Sequence, residues 1–281
     1  MNTLLWPATL HHLRRDSAEP ERLARFYGDL LGDAVERAGA SLWHVHGPGR
    51  EMLIGEGEPA SVPYYVLSVG DSGRLSQFRR ELDRAGVPTS GFEAPLLGQN
   101  AFKVADPDGR AVVFDALAPK ATQKQGPVAR LQHFVCATSR LAAMLAFYRD
   151  RLGLMESDRV LDAATPDDEL SAVFMRSDEE HHSFAIFRAP QSRADHHSYE
   201  TSGWMDILHW ADRMGELRIP LWWGPGRHGV GNNLFFMIED PDGHKVEFSA
   251  EIERMPREMA WRSWPHEQRT LNLWGSAWMR S

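Results

Sequence analysis

The feature that most limits what this chain can fold into is that it repeats itself. The segment HHLRRDSAEPERLARFYGDLLG at 11–32 lines up without a gap on QHFVCATSRLAAMLAFYRDRLG at 132–153. His12 falls on His133, Phe26 and Tyr27 on Phe147 and Tyr148, and Gly32 on Gly153. A second pair follows, ADPDGRAVVFDA at 105–116 and EDPDGHKVEFSA at 239–250. The offset is larger for the second pair, so the C-terminal half holds extra residues between its two signatures. Halves that open and close alike imply two homologous domains. The expected division is a domain over 1–120, another over 128–255 and a tail over 256–281. The polar, proline-flanked stretch 118–127 reads as the linker.

Local patterns give the content of each half. Residues Leu141, Met144, Leu145, Tyr148 and Leu152 recur at helical spacing, with Ser139 as the expected N-cap and Gly153 as the stop. Strand-like runs follow at 171–177 and 182–188. A second round opens at HHSYET (196–201), passes through a helix carrying Ile207, Trp210, Met214 and Leu217, and ends in strands at 233–239 and 245–250. The N-terminal half has the same order: 64–69, a helix with Leu75, Phe78 and Leu82, then 101–106 and 111–116. Each half is therefore two strand–helix–strands units, an α+β organisation.

Strand alternation sorts side chains by face. After the Pro241-Asp242-Gly243 turn, Val246 and Phe248 lie on one face, and Glu247 on the other with Lys245 and Ser249. In 132–137, His133, Val135 and Ala137 share a face, while Phe134 and Cys136 oppose them. With the apolar bulk under the helices, His133 and Glu247 face a cavity or water, and Cys136 is a packing residue. A net charge of -8 with no concentrated basic face excludes a nucleic-acid partner. No apolar run reaches membrane-spanning length, the N-terminus does not read as a signal peptide, and the single Cys136 fits a reducing cytoplasm.

With these motifs the chain resembles the vicinal oxygen chelate (glyoxalase/bleomycin resistance/dioxygenase) superfamily, and within it the two-domain type I extradiol ring-cleaving dioxygenases. The resemblance is strongest in 130–155, 180–201 and 222–250. It implies two βαβββ modules per domain, forming a curved sheet around a cavity. It carries a metal-binding triad onto His133 in LQHFVCAT, His196 in HHSYET and Glu247 in DGHKVEF. Fe(II) is the implied metal, with Mn(II) a possible substitute. Two imidazoles and one carboxylate on one face of such an ion leave adjacent positions open for a diol and O2. The resemblance also implies an acid–base role for His182 in EEHHSFAIF and a hydrogen-bonding role for His228 in GRH. Val135, Met237 and Trp223 are the expected substrate-binding residues, with Trp222 a further candidate. Met237 stands where the family often has Tyr. The N-terminal half keeps His12 but has Tyr64 and Val113 at the other two positions, so no metal is expected there. His44 and His46 are expected to carry no chemistry.

The implied function is extradiol cleavage of a catechol-type ring. The expected partners are a small aromatic diol and O2, with further copies of the chain in a homo-oligomer. Two other readings stay open: another metal-dependent member, such as a glyoxalase-like isomerase or hydroquinone dioxygenase, and a metal-free binding protein of the bleomycin-resistance kind. His181, His197, His209 and His244 read as turn, surface or supporting residues. The tail holds four tryptophans between 261 and 281, too aromatic for a disordered end, and is expected to cover the cavity mouth or a subunit interface.

Overall fold

The computed structural model of the chain describes residues 5–118, 129–163 and 169–280. All but the first residue of the expected linker lies outside the described residues. The first half runs β1 (Thr9–Ser17), α1 (Pro20–Leu31), β2 (Ala34–Gly39), β3 (Leu42–Gly47), β4 (Arg50–Glu56), β5 (Tyr64–Ser68), α2 (Ser72–Arg84), β6 (Ser90–Gly91), β7 (Phe102–Ala105) and β8 (Ala111–Asp115). The second runs β9 (Arg130–Thr138), α3 (Leu141–Ala146), β10 (Met155–Asp162), β11 (Glu169–Arg176), β12 (Phe184–Arg188), β13 (Arg193–Thr201), α4 (Trp204–Glu216), β14 (Trp223–Arg227), β15 (Leu234–Glu239) and β16 (Lys245–Ala250). Each half is thus two βαβββ modules, as the repeat implied.

The two sheets follow one path. Strand order is β2-β3-β4-β1-β5-β8-β7-β6 in the first and β10-β11-β12-β9-β13-β16-β15-β14 in the second. The second sheet gains a ninth strand, β17 (Arg262–Pro265), which pairs in parallel with β10; a short helix, α5 (Gln268–Leu271), follows. Alternation decides what each face buries. Phe134, Cys136, Phe184, Ile186, Val246 and Phe248 enter the main core with the helices. Val135, Ala185 and Phe187, on the opposite face, form a separate cluster with Val230 and Leu271. Burying each of the large side chains contributes about 1.5–3 kcal/mol.

The helices bury the expected stripes, with two differences. Leu217 lies just past the end of α4 and is 36% exposed, while Ile207, Trp210 and Met214 are buried. Ser139 does not cap α3. The helix starts after Arg140, whose backbone N–H donates to Thr138 Oγ1 at 2.9 Å. From Phe147 to Leu152 the coil widens into a π-helical turn, which Gly153 closes at φ 87°.

Contacts between the halves account for the repeated signatures. Tyr27 on α1 donates its hydroxyl to Asp240 at 2.9 Å, in the Asp-Pro-Asp-Gly turn of the second half. Tyr148 on the second half donates to Asp106 at 3.0 Å, in the same turn of the first. Each carboxylate also accepts N–H groups of its own turn and pairs with an arginine, Arg15 at 2.9 Å and Arg110 at 3.0 Å. Burial raises the pKa of both aspartates, and the arginines offset only part of that. His197 and His244 sit in this layer, buried, stacked and in contact at 3.0 Å, beside Tyr27. Of the readings turn, surface or supporting residue, burial removes surface for both.

Candidate metal centre

Three neighbouring strands, β16, β13 and β9, carry Glu247, His196 and His133. Ser198 on β13 stands in register with His133 on one side and Glu247 on the other. Its small side chain leaves room between them, and His196 comes in two residues along the same face. The Nε2 atoms of His196 and His133 lie 3.4 and 3.9 Å from Glu247 Oε2. All three side chains are buried. One donor atom from each falls within 4.8 Å of the others.

The surroundings fix which nitrogen of each ring faces inward. His133 Nδ1 contacts Gln132 Oε1 at 2.5 Å, and His196 Nδ1 contacts Asp195 Oδ1 at 2.7 Å. Gln132 is itself oriented, since its amide nitrogen donates to Glu180 at 3.0 Å and to the His182 carbonyl at 2.7 Å. Carbonyl and carboxylate oxygens only accept, so both rings carry their proton on Nδ1 and a lone pair on Nε2. Glu247 Oε1 accepts from Asn233 Nδ2 at 3.3 Å, which leaves Oε2 for the cavity.

Two imidazole lone pairs and a carboxylate oxygen therefore converge, all acceptors, with no proton between them to make a hydrogen bond. A divalent cation is what this arrangement fits. Protonation states agree. Burial is the largest influence on His133 and holds its pKa down to about 3. Burial would raise Glu247, but the imidazoles of His228, His133 and His196 outweigh it and hold it at about 2. At neutral pH His133 is therefore neutral and Glu247 an anion.

His182 and His228 complete the cavity wall. The His182 ring lies 4.4 Å from that of His133, and its Nδ1 is 2.9 Å from His181 Nδ1. Burial, together with the neighbouring histidines, lowers its pKa well below the usual value. Residues 181–183 precede β12, so strand alternation does not send His181 to the helix side. Its Nε2 instead meets Asp158 at 2.8 Å. His228 stacks on Phe235 at 3.8 Å, donates from Nδ1 to the Leu271 carbonyl, and brings Nε2 to 3.9 Å from Glu247. Val135, Met237 and Trp223 line the cavity, as do Phe174, Phe187, Val230, Thr270, Leu271 and Arg280. Met237 pairs in register with Glu247, which puts its thioether beside the carboxylate. Trp222 does not line it: it is 37% exposed beneath the Lys245 ammonium.

The supporting residues Gln132, Asp195, Asn233 and Asp158 were not singled out from sequence. The available signal was adjacency, since Gln132 and Asp195 directly precede the histidines they hold.

In the first half, Tyr64 and Val113 occupy the matching strands and pack with Leu53 and Val66, covered by Phe92. A register shift between Leu10 and His12 occurs where β1 passes His11. Donor atoms of His11, His12 and Glu51 fall within 4.8 Å of one another, a grouping the spacing did not suggest. His44 and His46 stack on β3, and His44 approaches Glu51 to 3.6 Å.

The fold and the site together define a protein of the βαβββ kind with a candidate metal centre on one sheet face. Residues 130–248, within the second half, match the model of the Glyoxalase/Bleomycin resistance protein/Dioxygenase superfamily. The chain is similar to metapyrocatechase 2 of Cupriavidus necator, 32% identical over 132 residues, which is 47% of this chain and 39% of that protein. It thus spans about two fifths of that relative's length. The match to biphenyl-2,3-diol 1,2-dioxygenase of Paraburkholderia xenovorans is longer: 26% identity over 268 residues, covering 87% of this chain and 86% of the other. Among solved structures, the Mn(II)-bound glyoxalase from Novosphingobium aromaticivorans superposes with a TM-score of 0.82 at 21% identity, over 95% of this chain and 90% of the other.

Proposed function

We propose that this chain is an extradiol dioxygenase, which opens a catechol-type aromatic ring with O2 at a mononuclear Fe(II), or Mn(II), held by His133, His196 and Glu247. The observation that carries the reading is the buried convergence of two imidazole lone pairs and one carboxylate oxygen, with 3.4–3.9 Å separations that no hydrogen bond closes. When bound there, the metal would supply adjacent positions for the diol and O2 and acidify the diol hydroxyl. The names of the two dioxygenase relatives support this substrate class.

The chain's own residues do the rest. His182 keeps Nε2 for the cavity, so it takes the hydroxyl proton there and later returns it. His228 accepts a hydrogen bond from the substrate at Nε2. Val135, Phe174, Trp223 and Met237 hold the ring between apolar walls and keep water away. Those walls favour a ring with an apolar substituent. The product is a ring-opened semialdehyde acid that holds both oxygen atoms. With this reading go the division into 1–120, 128–255 and 256–281, a cytoplasmic location and a homo-oligomer. Among the described residues no helix is long and apolar enough to cross a membrane.

The test is anaerobic loading with Fe(II) or Mn(II), titration with a panel of alkyl- and aryl-substituted catechols, then admission of O2. The expected result is stoichiometric O2 uptake and a new semialdehyde absorbance. A protein that binds metal but consumes no O2 with any diol would instead favour an isomerase of the glyoxalase kind. Failure to bind metal would favour a simple binding protein.

A further inference from the structure

The C-terminal segment reaches three of the site histidines, each by a different route. Arg280 has a side chain only 3% exposed, and its guanidinium lies 3.8 Å from the rings of both Phe187 and Trp278. It holds Asp195 with both prongs, Nη2 to Oδ1 at 2.7 Å and Nε to Oδ2 at 3.1 Å. Asp195 Oδ1 is the atom that accepts the His196 Nδ1 proton. Along β17, Arg262 grips Asp158 at 2.9 and 3.0 Å, and the Trp264 indole N–H donates to the same carboxylate at 2.9 Å. Asp158 in turn faces His181, and His181 faces His182. The third route is a backbone carbonyl, that of Leu271, which accepts from His228 Nδ1.

With a neutral His181, proton accounting along the second route has one solution. Asp158 can only accept, so His181 carries its proton on Nε2. The Nδ1 of His181 is then an acceptor and takes the Nδ1 proton of His182. The Nε2 of His182 is left unprotonated toward the cavity. In the first half, β2, the counterpart of β10, is the sheet edge, and no strand of the described residues lies beyond it.

We propose that the C-terminal segment is a positioning element for the metal centre: Arg280, through Asp195, sets the pose of His196, while Arg262 and Trp264, through Asp158 and His181, set the tautomer of His182. The inference rests on the reading above, in which His196 is a ligand and His182 the proton acceptor. Supporting groups of this kind are worth about 10–100-fold in metal affinity or activity.

The experiment uses the full chain. Metal affinity is read by chelator competition for wild type, Glu247→Ala, Arg280→Gln and Arg280→Lys, with near-ultraviolet circular dichroism to check folding. Arg280→Gln is expected to bind metal about 10–100-fold more weakly. Arg280→Lys keeps the charge but not the two-pronged hold, and should fall between. Arg262→Gln is expected to lower kcat with little change in KM or metal affinity. Long-range ¹⁵N NMR of metal-free wild type needs no variant: His182, His196 and His228 are expected as Nδ1–H tautomers. A folded Arg280→Gln protein with wild-type affinity, or an Nε2–H tautomer at His182 or His196, overturns the proposal. Wild type that binds no metal, or Glu247→Ala that binds it equally well, overturns instead the ligand assignment on which the proposal stands.

Discussion

The two halves share one strand order and one set of signatures, yet their concave faces differ. In the second half, the matching strands carry His133, His196 and Glu247; in the first they carry His12, Tyr64 and Val113. Tyr64 and Val113 are packed in an apolar cluster, whereas the second half keeps a cavity walled by Val135, Phe174, Trp223 and Met237. The fold therefore does not require the metal centre. What distinguishes the second half is a few side chains on one face and a tail that adds a strand beside them.

The largest test of this contrast pairs two glutamates. Glu247→Ala should weaken metal binding by more than about 100-fold, beyond the loss expected for a merely supporting group, and abolish ring cleavage. Glu51→Ala, in the first-half cluster with His11 and His12, should leave both unchanged. Metal analysis of the purified variants checks this, and retention of metal in Glu247→Ala would move the centre to the other half. Next, His182→Asn should keep the metal but lower kcat by about 10²–10⁴, measured as O2 uptake under saturating diol.

The reciprocal contacts allow a stability test. Arg15→Met strands the buried Asp240 and should cost about 3–5 kcal/mol by urea denaturation. Arg110→Met should cost less, because the Arg110 side chain is 9% exposed where that of Arg15 is fully buried. A smaller effect concerns pH. His133 titrates at about 3, and His182, His197 and His244 are lowered well below the usual value, all mainly by burial. The unfolded chain binds these protons below about pH 6.5 and the folded one does not. Each imidazole therefore contributes stability above that pH, lost as pH falls toward 3, by up to about 1.4 kcal/mol per pH unit. Burial also raises Asp16, Asp33, Asp106, Asp178, Glu200 and Asp240, which acts in the opposite sense; Glu200 at about 7 and Asp178 at about 6 lie between pH 5.5 and 7.5, two groups against four imidazoles. The metal-free protein should thus have a lower urea midpoint at pH 5.5 than at 7.5. The smallest effect is at Met237: Met237→Tyr adds a phenol beside Glu247 and should raise kcat/KM by the worth of one hydrogen bond, about 0.5–1.5 kcal/mol.

Much of this was legible in the residues because the repeat supplied register. Once 11–32 lay on 132–153, period-two alternation gave the faces of His133 and Glu247, and the modules followed. Boundaries set by local chemistry were less legible, as at Ser139: the helix starts after Arg140 with no side-chain cap. Alternation says nothing about His181, because 181–183 are not in a strand. Long-range polar partners left no local trace: Arg280 and Asp195 are far apart in sequence, and only the fold brings them within 2.7 Å.

The phenol–carboxylate exchange across the halves is self-complementary, because each half owns both a tyrosine to give and an aspartate to receive. Two identical copies of a single half would satisfy the same scheme as a symmetric pair. Fusing them into one polypeptide makes that association independent of protein concentration. It also releases one copy's inner surface to drift, provided its tyrosine and its aspartate stay in place for the neighbour.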